Sequence, residues 1–235
     1  MSTATLLVEL QTEELPPKSL TRLAEVFSKT LSADLAQDGF LSSNSESRPY
    51  ATPRRLAVAI THTLAIAPDR EELMKGPSVK AGLDDQGNPS RALLGFAKKW
   101  GADVNALEKI NDGKQEVFAF RSLAKGAPLQ KNLAAKIEAA LKRLPVAKMM
   151  RWGDSEAEFV RPVHGLVMLH GASVVPGTVL GIVSGNKTRG HRFMGQPELV
   201  IADADAYESV LEKEGMVIAD FAKRRAMIDQ ALTVA

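Results

Sequence analysis

The chain has 235 residues and 25.3 kDa, 45% hydrophobic and 25% charged, which allows one large domain or two small ones with a real core. It contains no cysteine, so disulfides and thiolate metal sites are excluded. No apolar run approaches the ~20 residues of a membrane span, and the opening MSTATLLVEL lacks the basic region of a secretory leader, so the expectation is a cytoplasmic protein with no membrane partner.

The net charge of +2 hides a segregation. Residues 48–192 carry 23 Lys and Arg against 13 Asp and Glu, whereas residues 1–47 carry 3 against 7 and residues 193–235 carry 4 against 8. A basic middle between acidic ends suits an anionic partner such as nucleic acid; it equally suits Lys-rich helices facing water.

Leu6 to Leu10 predicts a first strand. Pro16-Pro17 then opens an amphipathic helix over residues 17–37, carried by Leu20, Leu23, Ala24, Phe27, Leu31 and Leu35 and closed by Gly39. Arg48 to Ala51 and Arg55 to Thr63 predict two strands around Thr52-Pro53, which gives a β-α-β-β opening of an α+β fold. Pro68 begins a charged connection, and DDQGNP at Asp84 to Pro89 is turn chemistry. Asn88 is the expected cap of a helix with Leu93, Leu94, Phe96, Ala97 and Trp100, closed by Gly101, and Asp103 of a short second helix reaching Ile110. Together they make a small helical insertion near 88–110. Gln115 to Leu123 alternates as a strand, and Pro128 opens a helix that Pro145 stops. Val163 to Leu169 predicts a strand and Val174 to Val183 one or two more, followed by helices at Asp203 to Glu214 and Ala219 to Leu232. The last helix has no terminating signal, as in a segment cut from a longer protein; a natural C-terminal helix that frays reads the same way. The division expected is an N-terminal α+β lobe at 1–67, a central basic α+β region at 68–195 and a helical segment at 196–235, with mixed or antiparallel sheets.

Several chemistries lack their motifs. There is no G-x-x-x-x-G-K-[ST] phosphate loop, no H-E-x-x-H and no G-x-S-x-G. His164 and His170 are six apart on one strand, roughly 20 Å, too far to share a metal. Glu9, Glu13 and Glu14 in ELQTEEL could do acid–base work, but carboxylates before a helix N-terminus are favoured for structural reasons alone.

The basic clusters carry the candidates. In TPRR, Arg54 and Arg55 point to opposite faces of an extended chain, so one can pair internally while the other meets solvent. Arg151 beside Trp152 fits base stacking or plain packing. RPVH supplies Arg161 and His164. KTRGHR supplies Lys187, Arg189, His191 and Arg192, with Gly190 allowing close backbone approach. Arginine forks at this spacing suit phosphates; an internal Arg–carboxylate network is the competing reading.

Six segments in order, LLVELQTEELPP, ATPRRLAV, KGPSVKAGLDDQGNPSRALLGFAKKWG, KMMRWG, FVRPVHGLVML and SGNKTRGHRF, resemble the beta-subunit family of bacterial glycyl-tRNA synthetases. They nearly span the chain and match the N-terminal part of that subunit; the family's HD-type and anticodon-binding regions lie outside this sequence. Gly165 departs from the pattern where the family often has a bulky aromatic, and Gln11 where glycine is common. The resemblance implies a class II α2β2 assembly with a glycyl-tRNA synthetase alpha subunit and tRNA(Gly) as partners. In that family the alpha subunit makes glycyl-adenylate, so ATP and Mg2+ are expected there and no cofactor, metal or catalytic residue in this segment. The region also resembles the B3/B4 module of the phenylalanyl-tRNA synthetase beta subunit, an α+β module that hosts editing. Three roles follow as expectations: tRNA binding and assembly through the basic residues; docking of the alpha subunit by a structural scaffold; or hydrolytic editing with a base such as His164 or Glu158.

Overall fold

The residues described by the computed structural model are 2–146, 148–154 and 156–234. In chain order the first elements are β1 (Thr3–Thr12), α1 (Leu20–Gln37), β2 (Ser47–Thr52) and β3 (Arg55–Leu64). Next come β4 (Arg70–Ser78), α2 (Val79–Gly82), α3 (Arg91–Trp100), β5 (Glu108–Asn111) and β6 (Glu116–Ala124). The remainder holds α4 (Leu129–Lys142), β7 (Met150–Arg151), β8 (Glu158–Phe159), β9 (Val163–His170), β10 (Ser173–Val174), β11 (Thr178–Val179) and β12 (Ile182–Val183). It ends with β13 (Lys187–Thr188), β14 (Leu199–Val200), α5 (Tyr207–Lys213) and α6 (Phe221–Val234). The α+β class is the one expected from the sequence.

Two units form, residues 1–67 with 127–235, and residues 68–126. This corrects the expected division: residues 127–195 do not join 68–126 in one central region, because β9 pairs with β1 and α4 packs on α1.

In the first unit the sheet order is β10-β9-β1-β3-β2, antiparallel throughout. β1 is its middle strand and is buried on both faces, which explains a run as apolar as LLVEL. Side chains alternate across the sheet. Leu6, Val8 and Leu10 point into a core shared with Leu23, Phe27 and Leu31 of α1 and Leu133 and Ile137 of α4. Leu7 points the other way, into a smaller core with Val167, Leu169, Tyr207 and Leu211. Glu9 and Gln11 share that second face and carry the polar chemistry of the molecule.

The second unit is a three-stranded antiparallel sheet, β4-β6-β5, carrying α3. Its β4 replaces the connection expected after Pro68. The strand buries none of its side chains fully, so its sequence lacks the alternation that betrays a half-buried strand. Ser90, not Asn88, caps α3, its side chain accepting from Leu93 N–H, and Gly101 ends the helix in the left-handed conformation. Asp103 caps only a 3-10 turn, Val104–Ala106, and the chain then turns into β5 instead of the expected second helix.

Two residues singled out in the sequence meet in space. Gln11 and Gly165 are direct cross-strand partners on β1 and β9. A Cβ built on Gly165 would fall 2.6 Å from the Gln11 side chain, so the Gln11 amide occupies the space above the glycine. Gly165→Phe alone should therefore cost about 1–3 kcal/mol by overpacking. Joined to Gln11→Gly it should cost less than the sum, with a coupling of about 0.5–3 kcal/mol. Urea unfolding of the four proteins checks this; strictly additive losses would refute the exchange.

Candidate functional site

The site is built from the second face of β1 outward. Glu9 is 0% exposed, and a carboxylate so placed needs partners for its charge and lone pairs. It has three. Tyr207 of α5 donates its hydroxyl to Glu9 Oε2, Thr188 of β13 donates its hydroxyl to Oε1, and Arg55 of β3 brings Nε to 3.4 Å from Oε2. Room for them comes from small Ala57, the cross-strand partner of Glu9. Burial, reinforced by the Glu9 charge, holds the Tyr207 phenol well above its ordinary value of 10.0, and burial raises Tyr50, whose ring meets that of Tyr207 edge-on at 5.4 Å, to about 12.

This cluster fixes the basic loop. Arg55 Nη2 donates to the Arg189 carbonyl, Gln11 Nε2 donates to the Lys187 carbonyl at 2.9 Å, and the Thr188 side chain is held by Glu9. Three consecutive residues are thus tied to β1 and β3. Farther along, His191 N–H donates to the Gly215 carbonyl at 2.6 Å and Gln196 N–H to the Glu214 carbonyl at 3.2 Å. Glycine is required here for close approach: a Cβ on Gly190 would lie 2.8 Å from the Gln196 and Gly215 backbones, and one on Gly195 would collide with the Gly215 carbonyl.

Adjoining clefts of about 410, 430 and 490 Å3 lie along this loop. Arg54, Arg55, His191 and Arg192 line the first and third; His164 and Arg189 line the second and third; Lys187 lines the second. Seven of the residues singled out in the sequence therefore meet at one surface. Arg161 sits at its margin, its Nε donating to the carbonyl of cleft-lining Glu14 at 2.9 Å. Arg151 does not join: it stands on the β7–β8 pair with Nε 3.2 Å from Glu158.

Their states differ. Arg55 is 4% exposed, so it is an internal positioning group and not the surface contact expected of it; TPRR sends one arginine in and one out. Arg54 is bridged to Glu13 and Glu14 at 3.6 and 3.3 Å, and Lys187 to Glu198 at 2.8 Å. Among the described residues, Arg189 and Arg192 are exposed with no carboxylate within 4.0 Å. His164 is exposed at the start of β9, whereas His170 Nε2 donates to the Thr63 carbonyl at 2.8 Å as a strand-end structural residue. Sequence reasoning missed Thr188, Tyr207 and the central role of Glu9. The available signal was a glutamate in the middle of a strand otherwise fit for burial on both faces.

Fold and site together define an α+β protein that presents a positively charged loop from a buried ionic cluster. The chain belongs to the glycyl-tRNA synthetase beta subunit family, whose family model matches residues 6–235. Among its relatives, the glycine–tRNA ligase beta subunit of Neisseria meningitidis serogroup C (strain 053442) is 45% identical over 232 residues, 99% of this chain and 34% of the relative. That of Yersinia pestis (strain Pestoides F) is 45% identical over 228 residues, 97% of this chain and 33% of the relative. The chain spans about a third of the length of the curated relatives it matches. Among the described residues no helix is long and apolar enough to cross a membrane.

The raised tyrosines set an alkaline limit. An unfolded tyrosine ionises near pH 10, whereas Tyr50 stays protonated to about 12 and Tyr207 is also held well above its ordinary value. The unfolded chain therefore binds fewer protons over this window. The stability concerned is complete below about pH 10 and lost as pH rises through the folded values. Melting temperature followed from pH 9 to 12 should fall, and Tyr207→Phe should be less stable at pH 8 by about 1–3 kcal/mol yet show a shallower alkaline decline.

Proposed function

We propose that this chain acts as the N-terminal part of a glycine–tRNA ligase beta subunit, supporting ATP-dependent attachment of glycine to tRNA(Gly) by binding the tRNA and by assembling with an alpha subunit. In this reading the working assembly is a cytoplasmic α2β2 heterotetramer, and glycine activation with ATP and Mg2+ belongs to the alpha subunit. The observation that carries the tRNA role is the pair Arg189 and Arg192. Most basic side chains around them are neutralised by a carboxylate or committed to backbone carbonyls, while these two stand exposed on a loop whose backbone is fixed from within. A fixed loop presents its guanidinium forks without a large ordering cost, which suits phosphate oxygens.

Binding of tRNA(Gly) to the chain, measured by filter retention from low to high salt, tests the reading. Affinity should fall linearly on logarithmic axes, because neutralised phosphates release counterions. Arg189→Ala and Arg192→Ala should each weaken binding and reduce the slope by about one; Arg151→Ala, on the separate hairpin, should change little. Undiminished affinity after both loop substitutions would remove the loop from the interface. Co-elution with alpha subunit in the absence of RNA separately tests the assembly role.

A further inference from the structure

We propose that Phe193 is a stacking platform for an unpaired RNA nucleotide, with Arg189 and Arg192 holding the flanking phosphates; this rests on the tRNA-binding reading above and specifies which part of an RNA the loop takes. Phe193 is 85% exposed and Met194 beside it 67%. Phe193 is the most exposed large hydrophobic side chain among the described residues, and its backbone is tied down. The His191 Nδ1 accepts from the Phe193 and Met194 N–H groups at 3.3 and 3.2 Å, and Gly195 N–H closes the turn on the His191 carbonyl at 3.0 Å. The ring is held at its base and bare on its outer side.

The surroundings select the occupant. The Arg192 guanidinium lies 5.9 Å from the Phe193 ring centroid and the His191 ring 6.2 Å away, tilted by 59°. Phe193 and Arg192 also line the 410 Å3 cleft, within the size range of sites that hold small ligand groups. An aromatic face beside the uncompensated Arg192 guanidinium, with Arg189 on the adjoining cleft, matches a nucleotide, with a π-face for the ring and a phosphate for the fork. An apolar protein segment would cover the ring but desolvate the arginines without neutralising them, at a cost. A duplex satisfies only the arginines, because its bases are already stacked and its edges face the grooves. An unpaired strand satisfies both.

The test compares wild type with Phe193→Ala, Phe193→Leu and Phe193→Trp in the 235-residue chain, the thermal melt of each confirming an unchanged fold. Probes are tRNA(Gly), a single-stranded oligoribonucleotide, the same strand carrying abasic sites, and an RNA duplex of equal length. The expected result is that Phe193→Ala and Phe193→Leu each weaken binding of the intact strand about tenfold, that Phe193→Trp restores it, and that the abasic strand and duplex are indifferent to the substitution. If Phe193→Leu binds the strand as wild type does, if the duplex responds equally, or if the substitutions alter only co-elution with alpha subunit, the stacking role is overturned while salt-sensitive tRNA binding still stands. If wild type binds neither tRNA nor strand, the tRNA reading itself fails and this inference falls with it.

Discussion

A single buried carboxylate organises the functional half of this molecule. Glu9 on the middle strand gathers Arg55 from the neighbouring strand, Thr188 from the basic loop and Tyr207 from α5. These residues lie up to 198 positions apart in sequence. A buried ion pair adds little net stability over an apolar replacement of the same shape, but losing one member leaves a stranded charge. What the cluster determines is register. Once Glu9 is inside, Arg55 must be beside it, and the loop carbonyl of Arg189 then has a donor waiting. The buried charge and the surface charge are thus linked through one arginine.

That linkage sorts the basic residues better than charge counting does. Around the loop Arg54 is paired with Glu13 and Glu14 and Lys187 with Glu198, and on the separate hairpin Arg151 is paired with Glu158. Arg161 spends its donors on the carbonyls of Glu14 and Val160. At this surface Arg189 and Arg192 stand exposed without a carboxylate within 4.0 Å among the described residues.

Much of the architecture could be read from the chain because local physics dictated it. Helices α1 and α4 bury a clean stripe, β1 and β3 are apolar runs between turn residues, and Gly101 marks a left-handed cap. The separation of a partly exposed Arg54 from a buried Arg55 was also expected, although Arg54 sits in the turn before β3 and not on an extended strand. The failures had two physical causes. REELMKGPS and EKIN are solvent-facing strands, so nothing in their own composition distinguishes them from loops. The union of residues 127–195 with the N-terminal lobe depends on β1 choosing β9 as its second partner, a long-range choice with no local signature. Tyr207 and Thr188 were invisible for the same reason, since each reads as an ordinary member of its own segment until Glu9 is placed opposite.

The junction between the two units has one more implication. Where the chain leaves the first unit after Ala67 and returns at Ala127, the two crossings are zipped together: Ala67 N–H donates to the Ala127 carbonyl at 3.0 Å, and Leu129 N–H to the Ala65 carbonyl at 2.9 Å. At the foot of the excursion, Asp69 ties back to Lys125 and to the Gly126 N–H. The excursion between these bonded segments is the 59-residue unit 68–126. A change of length confined to that segment leaves the pairing of β1 with β3 and β9 untouched, because none of these strands has a partner inside it.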